Sequence, residues 1–366
     1  MPNEIDLKLT ERALELAQEG VGLVSPNPLV GCVIADRFGS IAGEGTYIYD
    51  HIDHAEVIAL REAGERAVGG SAYVSLEPHD HQGRTPPCTD ALIEAGIARV
   101  ICPIEDPNPL VSGKGFARLR AAGIEVVTGI LAAEAARINE QFICWHRKKR
   151  PFVHLKMAMS LDGRISLDES ISTALSGPAA LKRVHEMRNA ADAILVGANT
   201  VVVDDPSLTD RSGRPRRRPL VRVILDNRLS ITPDRKVVAT AKDYPTYIFT
   251  NSRSAKRIEE LRDAGVKVFV TEMGGRDLAG ILEEMRSHDI QRVLVEGGTE
   301  VAGSFVDARL VDKVTLMTAP LIIGGREAPV AIGGAGASTL NETLRLSDLS
   351  VSHFGADLEI TGYPAA

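Results

Sequence analysis

Over the first twenty residues, MPNEIDLKLTERALELAQEG, apolar side chains recur at helical spacing between charged ones, which predicts an amphipathic helix. A Pro-punctuated loop, Val24-Ser25-Pro26-Asn27-Pro28, then runs into the apolar strand Leu29 to Ile34, and a second strand follows over 40–46. Val57, Leu60 and Ala63 set a helical period after His54, and Ser71 to Leu76 reads as a strand. Beyond Cys88 the pattern predicts a helix over 89–95, a strand over 99–103 and an Asx-type turn at Asp106-Pro107-Asn108-Pro109. A helix over 115–122, a strand over 124–129 and a helix over 131–146 complete this half. Strands alternating with helices of this length imply an α/β sheet covered on both faces.

The basic, Pro-terminated run Arg147-Lys148-Lys149-Arg150-Pro151 is the expected domain boundary, giving a domain over 1–148 and another over 149–366. The second half restarts with a strand over 152–158, the turn Ser160 to Arg164, a helix over 178–188 and the apolar strand 193–197. A basic loop, 211–218, leads into a strand over 221–226; strands over 246–250 and 267–271 frame a charged helix. Finally Gln291 to Val295 reads as a strand that ends in Glu296-Gly297-Gly298-Thr299 and passes into a helix from Val301. Glycines at a strand-to-helix junction expose backbone N–H groups suited to a phosphate. A GxGxxG fingerprint is absent, so no Rossmann domain is inferred.

Composition narrows the function classes. At 366 residues the chain accommodates two cores, and a net charge of −7 offers no general attraction to nucleic acid or membrane. The N-terminal helix is too acidic and too short of apolar residues to be a signal or transit peptide, so the expected location is the cytoplasm. Four cysteines, Cys32, Cys88, Cys102 and Cys144, are too scattered for a disulfide framework; Cys32 and Cys102 lie in apolar strand runs and read as core.

The stretch from Asp53 to Cys88 carries the candidate chemistry. A zinc-activated nucleobase deaminase needs a metal that lowers the pKa of a bound water, and a carboxylate, not itself a ligand, that moves the proton to the leaving amine. His54 and Glu56 fall two residues apart at a helix start, so one side chain is placed to ligate while the other reaches the water. The general signature has Pro-Cys after the next strand, whereas this chain has Pro78-His79. Histidine is an ordinary zinc ligand, so His54, His79 and Cys88 form a possible three-ligand set with an open fourth position. His81 is a rival ligand or a substrate contact. One thiolate fewer leaves a more strongly Lewis-acidic metal.

Taken together, these motifs resemble one family over almost the whole chain: the bifunctional riboflavin-biosynthesis deaminase-reductases. In the first half the resemblance rests on Pro26 to Val33, His54-Ala55-Glu56-Val57, Leu76-Glu77-Pro78, Gly83-Arg84-Thr85-Pro86-Pro87-Cys88 and Asp106 to Pro109. In the second it rests on Lys156 with Ser160 to Arg164, Gly197 to Val201, Asp204 to Thr209, and Val295 to Gly298. It implies a cytidine-deaminase-like α/β/α domain followed by a dihydrofolate-reductase-like α/β domain, with zinc and NADPH as cofactors. The implied substrate is a small phosphorylated pyrimidine, the diamino-pyrimidinone ribosylamine phosphate, deaminated on its ring and then reduced from ribosyl to ribityl; self-association as a homo-oligomer is also expected.

By position in the family pattern, Glu56 looks like the proton shuttle and His54, His79 and Cys88 like the metal shell. Asn27, His81, Asp106 and Asn108 look like base-reading residues and Arg84 like a phosphate contact. The resemblance places Ala158, Ala174, Thr200, Asp204, Gly298, Thr299, Glu300, Val301, Ala302, Gly303 and Ser304 at NADPH. It places Lys156, Ser172, Arg188, Leu208, Arg211 and Glu296 at the reductase substrate. Two positions depart from the pattern: His79 stands where the family usually has Cys, and Ala174 where it usually has a Trp beside the nicotinamide. Two rival readings follow, a reductase with a slow or structural deaminase domain and a noncatalytic, zinc-stabilised metabolite-binding protein. Glu56 speaks against the latter, because a structural zinc site has no use for a proton shuttle.

Overall fold

The computed structural model describes residues 3–83, 85–171 and 173–365, which leaves Arg84 and Ser172 outside the described residues. The chain divides into two compact units, one running to Arg150 and taking in Pro215–Arg217, the other holding Pro151–Arg214 and Arg218 onward.

In the first unit α1 (Glu4–Glu19) is capped by Asn3, whose side chain accepts from the Asp6 amide at 2.6 Å. It is followed by β1 (Gly31–Ala35), β2 (Ile41–Thr46), α2 (Ala55–Ala63), β3 (Ser71–Val74), α3 (Cys88–Glu94), β4 (Arg99–Cys102), α4 (Lys114–Ala121) and β5 (Glu125–Thr128). The sheet order is β2-β1-β3-β4-β5, antiparallel on either side of β1 and parallel from β3 to β5. Two glycines set the height of α2 above this sheet. A Cβ at Gly43 would stand 2.2 Å from the Ala59 carbonyl oxygen, and one at Gly45 would stand 2.2 Å from that of Ala55. Any side chain there would lift α2, and with it His54 and Glu56, off the sheet.

The single helix expected over 131–146 is instead two, α5 (Ala132–Ile138) and α6 (Glu140–Arg147), broken at Asn139. The fully buried Asn139 amide accepts from Leu29 N–H and donates to Leu29 C=O, both at 2.9 Å. Satisfying a backbone pair 110 positions away outweighs helix continuity at this point.

The second unit contains β6 (Phe152–Ser160), α7 (Pro178–Asn189), β7 (Ala193–Gly197), α8 (Ala198–Asp204), β8 (Val221–Leu225), α9 (Lys236–Ala239), β9 (Thr246–Thr250), α10 (Ala255–Asp263), β10 (Lys267–Val270), α11 (Leu278–Ser287), β11 (Arg292–Val295) and α12 (Thr299–Asp307). It closes with β12 (Lys313–Ala319), β13 (Leu346–Phe354) and β14 (Asp357–Pro364). The order is β10-β9-β8-β7-β11-β6-β12-β14-β13, parallel through β12 and antiparallel beyond. The chain runs outward from β6 to β10, returns to insert β11 beside β6, and then crosses to β12. Open α/β sheets bind ligands at the carboxyl ends of strands where the order reverses in this way.

Arg222 on β8 is fully buried although the sequence reads as a plain apolar strand. Its guanidinium donates to the hydroxyls of Thr246 and Thr240 and to the carbonyls of Ser207, Val237, Thr240 and Tyr244. The charge is thus distributed over backbone and hydroxyl oxygens around α9. No described helix is long and apolar enough to cross a membrane.

Candidate active sites

The first site is built where α2 and α3 begin. His54 occupies the N-cap of α2 in extended conformation and makes no side-chain cap hydrogen bond, while Glu56 falls in the first turn and is buried. Pro87 precedes α3 and presents Cys88 as its first residue; His79 comes from the loop after β3. The Cys88 Sγ lies 3.3 Å from His54 Nδ1 and 3.8 Å from His79 Nε2, and the three ligand atoms all lie within 4.8 Å of one another. That spacing suits one tetrahedral ion with a position left open.

The electrostatics fit the same group. Burial pushes the Glu56 carboxyl up, against the pull of its own amide and of Cys88, and its Oε2 is buried with no hydrogen-bond partner. A buried carboxylate oxygen left unpaired is costly unless something polar occupies the space in front of it. Burial also keeps the Cys88 thiol protonated and holds His79 neutral, and a bound dication would reverse the former by taking the thiolate as ligand. The donor set therefore fits a zinc ion, which His54, His79 and Cys88 would hold, with Glu56 against Cys88.

Around this cluster, Asn27 donates to Tyr47 Oη at 2.7 Å, and the Tyr47 ring meets His54 edge-on with centroids 5.1 Å apart. His81 is exposed, its ring centroid 5.0 Å from that of His79. It lies outside the three-ligand group. Asp106 is buried and accepts from the Asn108 amide at 2.7 Å. Two contributors had no assigned role in the sequence reading, Tyr47 and Glu77. Glu77 accepts from the amides of Asp106, Gly113 and Phe116, so it fixes the loop that carries Asp106 and Asn108. The available signal was a carboxylate at the end of an otherwise apolar strand.

Burial, reinforced by Glu77, pushes the Asp106 carboxyl up to about 6, despite the Asn108 amide. The unfolded carboxyl titrates near ~4, so between the two values the folded protein binds more protons and its stability falls as pH rises. Asp106→Asn is therefore expected to match the parent near pH ~4 and to exceed it by up to about 3 kcal/mol above pH ~7. Thermal melts at both pH values check this; a gap that does not widen with pH would count against it.

In the second unit a buried ionic cluster stands at the carboxyl ends of the central strands. Glu296 follows β11, and Lys156 lies one residue past the Leu155–Val295 pair on β6. Arg188, from α7, grips Glu296 through two bonds of 2.7 and 3.0 Å, and Lys156 Nζ lies 3.5 Å from the same carboxylate. Burial opposes ionisation of Glu296, but Arg188 and Lys156 outweigh it and hold the carboxyl at about 2. Burial lowers the Lys156 ammonium, with Glu296 opposing. Arg188 also donates to the Thr209 carbonyl at 3.1 Å, and the Arg211 amide donates to His185 at 3.3 Å, so α7 carries the loop bearing buried Leu208 and exposed Arg211.

Beside this cluster two helices start next to each other. A Cβ at Gly298, the N-cap of α12, would meet Thr200 Oγ1 of α8 at 3.7 Å, and one at Gly197 would meet Val301 at 3.0 Å. A Cβ at Gly297 would clash with Val301 at 2.7 Å, so this junction requires glycine. The amides of Thr299, Glu300 and Val301 open α12 without intrahelical acceptors, which fits a phosphate-bearing cofactor. Thr299 Oγ1 donates to Val330, Ser304 Oγ to Glu300, and Gly303 packs against Gly333, with Ala302 buried below; these bonds position the helix. Ala158 is half-buried on β6, while Ala174 and Asp204 are exposed.

Comparison with known proteins bears on both halves. Residues 3–104 match the cytidine and deoxycytidylate deaminase zinc-binding region, and residues 151–360 match the RibD C-terminal domain. The riboflavin biosynthesis protein RibD of Aquifex aeolicus is 40% identical over 98% of this chain and 99% of its own length. This chain belongs to the RibD family. The RibD of Escherichia coli is 36% identical over 95% of the chain and 96% of its own. Among solved structures, RibD of Acinetobacter baumannii superposes with a TM-score of 0.87 at 34% identity, covering 99% of both chains. The Thermotoga maritima diaminohydroxyphosphoribosylaminopyrimidine deaminase/5-amino-6-(5-phosphoribosylamino)uracil reductase does so with a TM-score of 0.87 at 35% identity, also over 99% of both. As a RibD the chain is a bifunctional enzyme of riboflavin biosynthesis, with a deaminase domain ahead of an NADPH-dependent reductase domain.

Proposed function

We propose that the domain over 1–148 hydrolytically deaminates 2,5-diamino-6-(5-phosphoribosylamino)pyrimidin-4(3H)-one, and that the domain over 149–366 reduces the ribosyl group of the product to ribityl. The observation that carries this reading is the convergence of His54, His79 and Cys88, with buried Glu56 interacting with Cys88 and its Oε2 left without a hydrogen-bond partner. A zinc ion bound there supplies the Lewis acidity that brings a water's pKa towards neutrality. Glu56, raised by burial, accepts that proton and returns it to the departing amine. Asn27, His81, Asp106 and Asn108 read the pyrimidine edge, with Asn27 oriented through Tyr47, and Arg84 takes the phosphate.

In the reductase domain NADPH supplies the hydride. Thr200, Asp204 and residues 298–304, with Ala158 and Ala174, form its binding surface. Lys156, Arg188 and Glu296, together with Ser172, Leu208 and Arg211, hold the phosphorylated sugar. We read the chain as a homo-oligomer: β13 ends its sheet unpaired on one side, with Leu349 63% and Val351 61% exposed.

One preparation tests these points: elemental analysis, a deamination assay and light scattering on protein purified without added zinc. About one zinc per chain with deamination, both lost in His54→Ala, and a mass above that of one chain are expected. Intact NADPH-dependent reduction without zinc or deamination would instead support a reductase carrying a structural first domain, and a monomeric mass would refute self-association.

A further inference from the structure

The zinc reading above treats His54, His79 and Cys88 as equivalent ligands, but their surroundings are not equivalent. A histidine that ligates through Nε2 carries its proton on Nδ1, and firmly held metal histidines donate that proton to a carboxylate, a carbonyl or water. His79 presents Nε2 to Cys88 Sγ, while the Cys88 backbone N–H points at His79 Nδ1 from 3.4 Å. That amide is a donor, and it favours an unprotonated Nδ1. An N–H aimed at this position suits a thiolate, which accepts it while ligating; it works against an imidazole, which must first turn Nδ1 into a donor. Charge acts in the same direction, because two neutral imidazoles and one thiolate bring a single negative charge to the ion, where a site with two thiolates brings two.

We propose that His79 is the weak third ligand of an exchangeable metal centre, anchored by His54 and Cys88, in which other first-row divalent ions compete with zinc. Thiolate ligands favour zinc over harder ions, and this centre has one. The inference rests on the zinc reading and adds to it an unequal share of the binding among the three side chains.

The test is a metal titration of the full chain after chelator treatment, using zinc against a competing chelator and cobalt as an absorbing probe. Circular dichroism controls for folding. His79→Ala is expected to weaken zinc by less than about tenfold, below the roughly 10–100-fold that loss of even an outer-shell partner costs in a well-ordered site. His54→Ala and Cys88→Ser are expected to abolish stoichiometric binding. His79→Cys is expected to tighten zinc by more than about tenfold. The thiolate-to-cobalt absorption of the parent should persist in His79→Ala and strengthen in His79→Cys. Equal losses in His79→Ala and His54→Ala, or no gain in His79→Cys, would overturn the proposal while leaving the zinc reading intact. Failure of parent and His79→Cys alike to bind zinc or cobalt would overturn both.

Discussion

Glu56→Gln is expected to lower the deamination rate by about 10²–10⁴-fold, the usual contribution of a positioned proton-transfer group. Zinc content and NADPH-dependent reduction should stay at the parent level. The amide is nearly isosteric, so the buried space at the start of α2 is filled as before and His54 keeps its N-cap position. What disappears is the ability to take a proton at Oε2, the buried oxygen that no described group hydrogen-bonds. Burial raises this carboxyl, which makes it a stronger base than an exposed glutamate. Parallel assays of deamination, zinc and reduction on one sample decide the matter. Loss of zinc in Glu56→Gln would make Glu56 a ligand, and unchanged deamination would remove it from the proton path.

The local part of the His54, His79 and Cys88 cluster was legible in the chain. His54-Ala55-Glu56 before a helical period, and Pro86-Pro87-Cys88 before the next, are short-range patterns, and the structure brings them together because α2 and α3 start on the same side of one sheet. Apolar runs likewise marked β1, β4, β7 and β11, whose buried positions follow directly from composition. What remained hidden depends on partners distant in sequence. Asn139 breaks its helix to serve Leu29, Glu77 gathers amides from a loop some thirty residues on, and Arg222 enters the core because oxygens around α9 surround it. No window of local pattern contains both members of such a pair. The closing β12–β14 segment had no predicted elements, and β13, exposed at most positions on both faces, lacks the alternation that marks a half-buried strand.

Glu296→Gln is expected to destabilise the reductase unit by about 3–5 kcal/mol, the usual cost of removing one member of a buried ion pair. Glu296 is the shared counter-ion of Arg188 and Lys156, with 9% of its side chain exposed. Glutamine preserves the shape and one acceptor oxygen but leaves two buried cations facing each other. Arg188 remains charged at any accessible pH, whereas Lys156, already lowered by burial and now without the opposing carboxylate, is driven further towards its neutral form. A lysine lowered in the fold binds fewer protons than its unfolded counterpart. Its stability contribution is therefore lost as pH falls, and the deficit of the variant should shrink as pH is raised towards ~10. If the cluster holds the phosphorylated sugar as proposed, reduction should fall by about 10²-fold, the effect of misplacing a reacting centre by ~1 Å. Deamination, built on the other unit, should be unaffected. Thermal melts at two pH values and paired activity assays test this, and a destabilisation independent of pH would mean that Lys156 does not share the carboxylate.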